Sequence, residues 1–261
     1  MILRRLGNKS QIASEIQKYF PQHKIYIEPF FGAGGMFFNK QKAHNNILND
    51  IDSDVFNLFN VISNRKDELL EQFNYMPYHQ DLLKHWIENK ETDPIKKALR
   101  FLFISNFTYL GKQDTIALCS ARLEYQYNFE NYLNEANKKI FGVQFANMDF
   151  RKFLTSIAFY SDGRDNESKT LIYADPPYLN QTSVYNDNGW CENDVSDLFD
   201  CLQETGCKFA YSEFDHPFIL EQAEKRKLNV ITIGERQNLK NRRIEILVTN
   251  YSKPKTLFDV D

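Results

Sequence analysis

Three glycines follow the first predicted strand of the chain and limit the folds that it can adopt. Residues 24–28 predict a buried strand, and Gly32, Gly34 and Gly35 lie in the loop directly after it. Glycines at such a turn allow positive φ and let the backbone approach a ligand closely. A short helix and a second strand that ends at Asp50 are predicted next. This order of strand, glycine loop, helix and strand is typical of an α/β fold with a parallel sheet.

The glycine loop differs from the pattern that binds dinucleotides. Phe37 stands where that pattern needs its third glycine. Asp50 follows Gly34 by 16 positions, and at the end of a strand its carboxylate can accept hydrogen bonds from ribose hydroxyls. Together these residues predict a nucleoside-containing cofactor without a pyrophosphate. From the residues alone, a tight turn without a ligand remains the alternative.

Further strands are predicted only after a long gap. Residues 11–20 have the spacing of an amphipathic helix, which Pro21 ends. Apolar segments typical of strands return at residues 143–146, 170–174, 208–211, 229–233 and 244–250.

The gap between the second and third strands predicts an inserted domain. Residues 54–105 predict helices without strands, and residues 106–128 could hold a hairpin. We therefore expect a catalytic and cofactor-binding domain formed by residues 1–52 and 138–261. Residues 53–137 are expected to form a mostly helical domain inserted between its two parts.

The most specific feature is the tetrad Asp175-Pro176-Pro177-Tyr178, which follows a predicted buried strand. In open α/β sheets, ligands bind at the carboxyl ends of the strands. The two prolines lack backbone N–H groups, so the turn presents only carbonyl oxygens. A carboxylate, a free carbonyl and an aromatic ring match an exocyclic amino group on a base. The alternative is an N-cap aspartate before a helix that begins at proline.

Composition argues against a membrane or zinc protein. Hydrophobic residues make up 42% of the chain and charged residues 26%, and no apolar run approaches the ~18–20 residues that span a bilayer. We expect no signal peptide and no membrane association. The four cysteines show no Cys-x-x-Cys spacing, so we expect no metal site and reduced thiols in a cytoplasmic protein.

The net charge of −3 argues mildly against nucleic acid as a partner. The charge is uneven, however, because residues 1–24 and residues 235–255 each carry a net charge of +4. These two segments could form a local basic face. Two solvated surface segments are the simpler interpretation of the charge alone.

Six segments of the chain resemble the motifs of the DNA adenine methyltransferase family. Residues 3–9 resemble its N-terminal cofactor motif, although Arg5 replaces an aromatic residue and Asn8 a glycine. The other similar segments match the glycine motif, the acidic ribose motif, the Gly-Asp-Phe motif and two later motifs, at residues 27–34, 48–54, 147–150, 209–215 and 242–247.

The resemblance implies an enzyme with a Rossmann-like class I sheet. Such an enzyme uses S-adenosylmethionine to methylate N6 of an adenine that is flipped out of double-stranded DNA. The Asp175 carboxylate and the Pro176 carbonyl would accept from the N6 amino group, Pro177 would complete the turn, and Tyr178 would stack on the base. The resemblance assigns the cofactor to Arg5, Lys9, Phe30, Gly32, Gly34, Asp50, Asp149, Phe150 and Asp175.

The inserted domain would then recognise the DNA sequence. Its segment 106–114 mixes amide, hydroxyl, aromatic and basic groups around a glycine, which are types that contact base edges. The expected DNA contacts are Asn106, Tyr109, Lys112, Gln113 and Arg122.

Three other functions remain open at this stage. An RNA adenine or guanine methyltransferase is the nearest, but the 141 positions between Gly34 and Asp175 favour a family with an inserted domain. A catalytically silent DNA-binding protein and an N4-cytosine methyltransferase are the others. We expect a monomer associated with the nucleoid of a bacterium or encoded by a phage, with a cognate restriction endonuclease as a potential partner.

Overall fold

A seven-stranded sheet forms the centre of the protein. The computed structural model describes residues 2–3, 8–108, 116, 120–161, 164–179, 189–237 and 242–252. The strands are β1 (Ile25–Glu28), β2 (Asn45–Asn49), β3 (Gln144–Ala146), β6 (Thr170–Ala174), β7 (Lys208–Phe214), β8 (Asn229–Gln237) and β9 (Arg242–Thr249), and β4 (Tyr160–Ser161) pairs separately with β5 (Arg164–Asp165).

The strand order is β3-β2-β1-β6-β7-β9-β8. Strands β3, β2, β1, β6 and β7 are parallel, and β9 is antiparallel to both of its neighbours. The expected α/β class with a mostly parallel sheet is therefore confirmed. The carboxyl ends of the five parallel strands meet at one edge of the sheet, which is where an open α/β sheet binds its ligands.

Helices cover both faces of this sheet. They are α1 (Ala13–Gln17), α2 (Ser53–Asn64), α3 (Lys66–Tyr75), α4 (Gln80–Glu88), α5 (Pro94–Phe107), α6 (Ser120–Tyr127), α7 (Phe129–Ile140), α8 (Phe150–Ser156), α9 (Glu192–Glu204) and α10 (Pro217–Lys225).

Strand β6 shows how the two faces differ. All five of its residues are buried, and successive side chains point to opposite faces. Leu171 and Tyr173 pack in a core with α1 and the helices of residues 53–140. Ile172 and Ala174 pack in a second core with α8, α9 and α10. Burial on both faces explains why this strand has no polar alternation.

The helical content predicted for residues 54–105 is confirmed. Helix α5 begins with Pro94 in its first turn, and the Asp93 side chain caps it by accepting a hydrogen bond from the Lys96 amide at 2.9 Å. Most of its residues are buried, because it lies among the other helices of the insertion.

The insertion shares its core with the sheet. The ring of Phe59 on α2 lies parallel to that of Phe145 on β3, with a centroid separation of 5.8 Å, and its centroid is 4.8 Å from that of Phe31. Helix α2 therefore packs directly on the end of the sheet. The boundary between a catalytic domain and residues 53–137 remains a proposal.

The prediction for residues 11–20 differs from the structure. They form only the short helix α1 after a 3-10 turn at Lys9–Gln11.

Residues 106–128, which could hold a hairpin, combine two structures in their described part. An antiparallel bridge joins Thr108 to Ile116, and residues 120–127 form the helix α6.

Among the described residues, no helix is both long and apolar enough to cross a bilayer. The same part of the chain contains no group of three or more histidine, cysteine or acidic side chains arranged to hold a metal ion.

Candidate active site

The glycine loop that follows β1 packs against the N-terminal segment. Gly32 and Gly34 have φ values of +52° and +71°, which residues with a side chain rarely adopt. Gly35 lies so close to the N-terminal segment that a Cβ there would be 1.9 Å from Asn8 Oδ1 and 2.8 Å from Lys9 N. The loop therefore brings Lys9 to the carboxyl edge of the sheet.

Asp50 holds the other side of this loop. One of its carboxylate oxygens accepts from the Gly32 amide at 2.6 Å, and the other accepts from the Asp52 amide at 2.9 Å. Each carboxylate oxygen can accept a second hydrogen bond. Asp50 is thus in place to bind a ligand at the glycine loop, and its contact with ribose stays a prediction.

Asn49 is a site residue that sequence reasoning missed. Its side-chain amide donates to the Pro29 and Met148 carbonyls at 2.9 Å each, and its Oδ1 accepts from the Met148 amide at 3.1 Å. The side chain is buried. Asn49 therefore ties the loop after β1 to the loop after β3. An amide at the end of an apolar strand was the only signal for this role.

Asp149 begins helix α8, where its carboxylate accepts from the Arg151 amide at 2.9 Å. The Arg151 guanidinium lies 3.3 Å from the same carboxylate, 2.6 Å from Asp194 and 2.8 Å from Asp197. Arg151 thereby connects the start of α8 to α9 and fixes the direction of the Asp149 carboxylate.

Three aromatic rings pack together at the start of α8. The ring centroids of Phe30 and Phe150 are 5.5 Å apart, and that of Trp190 is 5.6 Å from the first and 5.7 Å from the second. Phe30 and Phe150 were both predicted to bind the cofactor, and the structure brings them together. Trp190 was missed, because no motif points to it.

Asp175 lies at the end of β6, as predicted, and its side chain is 17% exposed. The Lys9 ammonium is 2.9 Å from the Asp175 carboxylate and 3.4 Å from Glu245 on β9. The same ammonium lies 4.3 Å from the centroid of the Tyr178 ring. Lys9, which was expected near the cofactor, therefore contacts the predicted catalytic tetrad.

Tyr178 is almost fully buried in this arrangement. Its hydroxyl donates to Glu245 Oε1 at 2.5 Å, and its ring packs perpendicular to that of Phe214. Burial, followed by the nearby charges of Asp175 and Glu245, raises the pKa of Tyr178 well above its ordinary value. The phenol therefore stays protonated and remains a hydrogen-bond donor.

Two further glutamates are buried at this edge of the sheet. Burial raises the pKa of Glu28, at the end of β1, well above its ordinary value, and Asp175 adds to the shift. Burial also raises the pKa of Glu213 on β7 to about 8. Glu213 accepts from the Leu179 amide at 3.3 Å and from the Phe214 amide at 2.9 Å, so it holds the chain that follows the tetrad.

The structure corrects one predicted DNA contact. Asn106 is fully buried, and its amide donates to the Leu102 carbonyl at 3.0 Å and to the Ile2 carbonyl at 3.3 Å. A side chain that is hydrogen-bonded inside the core is not available to a base edge. Asn106 therefore stabilises the packing of residues 53–137 instead. Other predicted contacts lie outside the described residues, namely Arg5, Tyr109, Lys112, Gln113 and the side chain of Arg122.

The residues at this edge suit S-adenosylmethionine. The Asp50 and Asp149 carboxylates are acceptors for hydroxyl or amino groups, and the neighbouring aromatic rings can pack on an adenine ring. A Cβ at Gly32 would meet nothing within 4 Å, so the loop leaves open space for a ligand.

A mostly parallel sheet with a glycine loop after β1, an acidic residue after β2 and an acidic turn after β6 is the arrangement expected of a class I methyltransferase that uses S-adenosylmethionine. A family model of the D12 class N6 adenine-specific DNA methyltransferases matches residues 6–244. The chain belongs to this family, and it is an enzyme that methylates adenine in DNA. The predicted activity and cofactor are thereby confirmed, and the RNA and silent alternatives are not favoured.

Two DNA adenine methylases and one solved structure are similar to this chain. The chain is 24% identical to a DNA adenine methylase of Escherichia coli strain K12, in an alignment that covers 88% of this chain and 86% of that protein. It is 28% identical to a DNA adenine methylase of Serratia marcescens, over 74% of this chain and 72% of that protein. The structure of the rRNA methyltransferase aviRa from Streptomyces viridochromogenes aligns with 92% of this chain and 84% of its own, at 11% identity and a TM-score of 0.38.

Proposed function

We propose that the tetrad Asp175–Tyr178 binds and activates an adenine that has been flipped out of duplex DNA. The observation that carries this proposal is the position of Asp175. It lies at the carboxyl edge of the sheet and is partly exposed, and the predicted cofactor residues Gly32, Asp50 and Asp149 follow strands β1, β2 and β3 along the same edge.

Asp175 and Pro176 act on the amino group of the base. The Asp175 carboxylate and the Pro176 carbonyl accept its two hydrogens, which directs the nitrogen lone pair away from the ring. Bound S-adenosylmethionine supplies an electrophilic methyl group on a sulfonium. Catalysis then consists mainly of positioning and preorganised charge, without a covalent bond to the protein.

Tyr178 provides the stacking surface for the base. Stacking on the ring face beneath the Lys9 ammonium requires that ammonium to move aside, because it lies 4.3 Å from the ring centroid. Flipping removes the base from its pair and stack at a cost of a few kcal/mol, and contact with a buried aromatic ring offsets part of this cost.

The cofactor is held by the loops after β1, β2 and β3. Gly32 and Gly34 allow its close approach, and Asp50 accepts from its ribose. Asp149 accepts from the adenine amino group, while Phe30 and Phe150 pack on the adenine ring. The hydrogen bonds of Asn49 to the loops after β1 and β3 support this arrangement.

Recognition of the DNA sequence belongs to residues 53–137 in this proposal. Tyr109, Lys112, Gln113 and Arg122 are the candidate contacts that remain. A monomeric state, an accompanying restriction endonuclease and association with the nucleoid complete the proposal, and sedimentation at several concentrations tests the first of these.

The test compares two aspartate variants with a surface control. Asp175→Ala should abolish methylation and retain DNA binding, with a loss of roughly 2.7–4 kcal/mol or more of transition-state stabilisation. Asp50→Ala should weaken cofactor affinity much more than the rate at saturation, because a ribose contact is similar in the ground and transition states. Asp200→Ala, on the exposed side of α9, is the matched control.

The substrate is genomic DNA from a methylation-free host, with cofactor affinity measured by calorimetry and methylated positions by single-molecule sequencing. An active Asp175→Ala enzyme would refute the catalytic role of the tetrad. An unchanged cofactor affinity in Asp50→Ala would remove Asp50 from the cofactor site.

A further inference from the structure

We propose that Glu245 is a positioning residue of the methyl transfer, because it fixes Tyr178 and gives Lys9 a carboxylate to hold when the target base arrives at Asp175. This inference rests on the proposed roles of Asp175 and Tyr178. Neither the sequence motifs nor those roles assign a task to Glu245.

The first contact fixes the aromatic ring. Glu245 is 1% exposed, and its Oε1 accepts the Tyr178 hydroxyl hydrogen at 2.5 Å. A charge-assisted hydrogen bond of this kind in a buried place is stronger than a neutral one. Since Phe214 packs against the ring at 88°, the ring is held both at its hydroxyl and at its side.

The second contact concerns Lys9. Its ammonium lies between two carboxylates, 2.9 Å from Asp175 and 3.4 Å from Glu245. It is also 4.3 Å from the Tyr178 ring centroid, in the space where the base is to stack. The ammonium therefore competes with the base both for the carboxylate of Asp175 and for the ring face.

Glu245 resolves this competition. A buried ammonium that loses its only carboxylate is costly, because a desolvated charge needs a partner. Lys9 can release Asp175 to the adenine amino group because Glu245 remains within contact distance on the other side. The side chain is held rigidly, since β9 pairs with β7 and Glu245 lies opposite Phe214 in the register.

The test uses Glu245→Gln, which keeps the shape and one acceptor but removes the charge. Lys9 then has only Asp175 in this group, so single-turnover methylation of unmethylated genomic DNA should fall by roughly 10- to 100-fold, as expected for misplaced reacting groups. Affinities for DNA and S-adenosylmethionine and the melting temperature should change little. Glu221→Gln, on the exposed side of α10, is the matched control.

Tyr178→Phe tests the hydroxyl contact separately and remains informative if Glu245→Gln does not fold. It should also lower the rate while retaining DNA and cofactor affinity. The Lys9→Met/Glu245→Gln double variant should be no slower than Lys9→Met alone, because glutamine keeps an acceptor for the Tyr178 hydroxyl and the charge that it removes acts through Lys9.

Three results would overturn the inference. They are a wild-type rate in either Glu245→Gln or Tyr178→Phe, additive losses in the double variant, and a rate loss in Glu245→Gln that is matched by equal losses of cofactor affinity and thermal stability. Asp175→Ala is assayed in parallel. If Asp175→Ala is inactive while the Glu245 variant is normal, only the inference fails, whereas an active Asp175→Ala enzyme refutes the proposed site itself.

Discussion

Replacing Glu213 with glutamine should change how stability depends on pH. Burial raises the pKa of Glu213 from 4.5 to about 8 in the folded chain. An acid whose pKa is raised by folding destabilises the fold as pH rises from the unfolded pKa to the folded pKa, because the unfolded state releases its proton first. Glutamine stays neutral throughout this range. The difference in unfolding free energy between Glu213→Gln and the wild type should therefore grow with pH.

The two pKa values set the size of this effect. Between pH 5 and pH 7 the difference should increase in favour of the variant by about 2.5 kcal/mol. Other buried acids such as Glu28 change the unfolding free energy of both proteins equally as the pH rises, so their contributions cancel in the difference. Lys40, whose pKa is lowered by burial to about 8, destabilises both proteins by the same constant amount below that pH, and this cost decreases only as the pH rises above it.

Urea unfolding of both proteins at pH 5, 6 and 7 measures the difference directly. Loss of the hydrogen bonds to the Leu179 and Phe214 amides would change the difference in unfolding free energy by the same amount at all three pH values. It would therefore leave the dependence of this difference on pH unchanged. A difference that stays constant within about 0.5 kcal/mol would show that Glu213 ionises as an ordinary exposed glutamate does, and the reasoning would be wrong.

Two other variants test how the loops are held. Gly35→Ala should raise the dissociation constant for S-adenosylmethionine and slow methylation, because its Cβ would be 1.9 Å from Asn8 Oδ1 and would displace Lys9. Normal binding of the cofactor in calorimetry would contradict this. Asn49→Ala should lower the free energy of unfolding by about 1–3 kcal/mol, because it leaves the buried Pro29 and Met148 groups without their partner, and unchanged urea unfolding would show that these bonds add no stability.

The sheet could be predicted from the sequence because its strands are apolar. Strand β6 matches the predicted segment 170–174 at both ends, since burial on both faces leaves an uninterrupted apolar run. Strand β7 extends to Phe214, beyond the predicted end at residue 211. The additional residues Ser212 and Glu213 are polar but buried, so their hydrophobicity gave no sign of the longer strand.

The supporting residues of the site could not be predicted in the same way. Asn49, Glu213 and Glu245 each have a hydrogen-bond partner far away in the sequence, and no local pattern reveals such partners. The same limit explains the error at Asn106. A polar side chain at the start of a predicted hairpin suggested a base contact, whereas its partners include the backbone of Ile2, 104 positions earlier.

The packing of Phe59 against Phe31 and Phe145 limits how residues 53–137, the proposed DNA-reading part of the chain, could be exchanged between relatives. Exchanging all of residues 53–137 for the equivalent segment of a relative would remove the helix that covers the end of the sheet. A graft that keeps α2 and α7 and replaces the chain between residues 65 and 128 would leave those phenylalanine contacts in place. Chimeric enzymes joined after α2 and before α7 should therefore stay folded more often than chimeras joined at the ends of the strands.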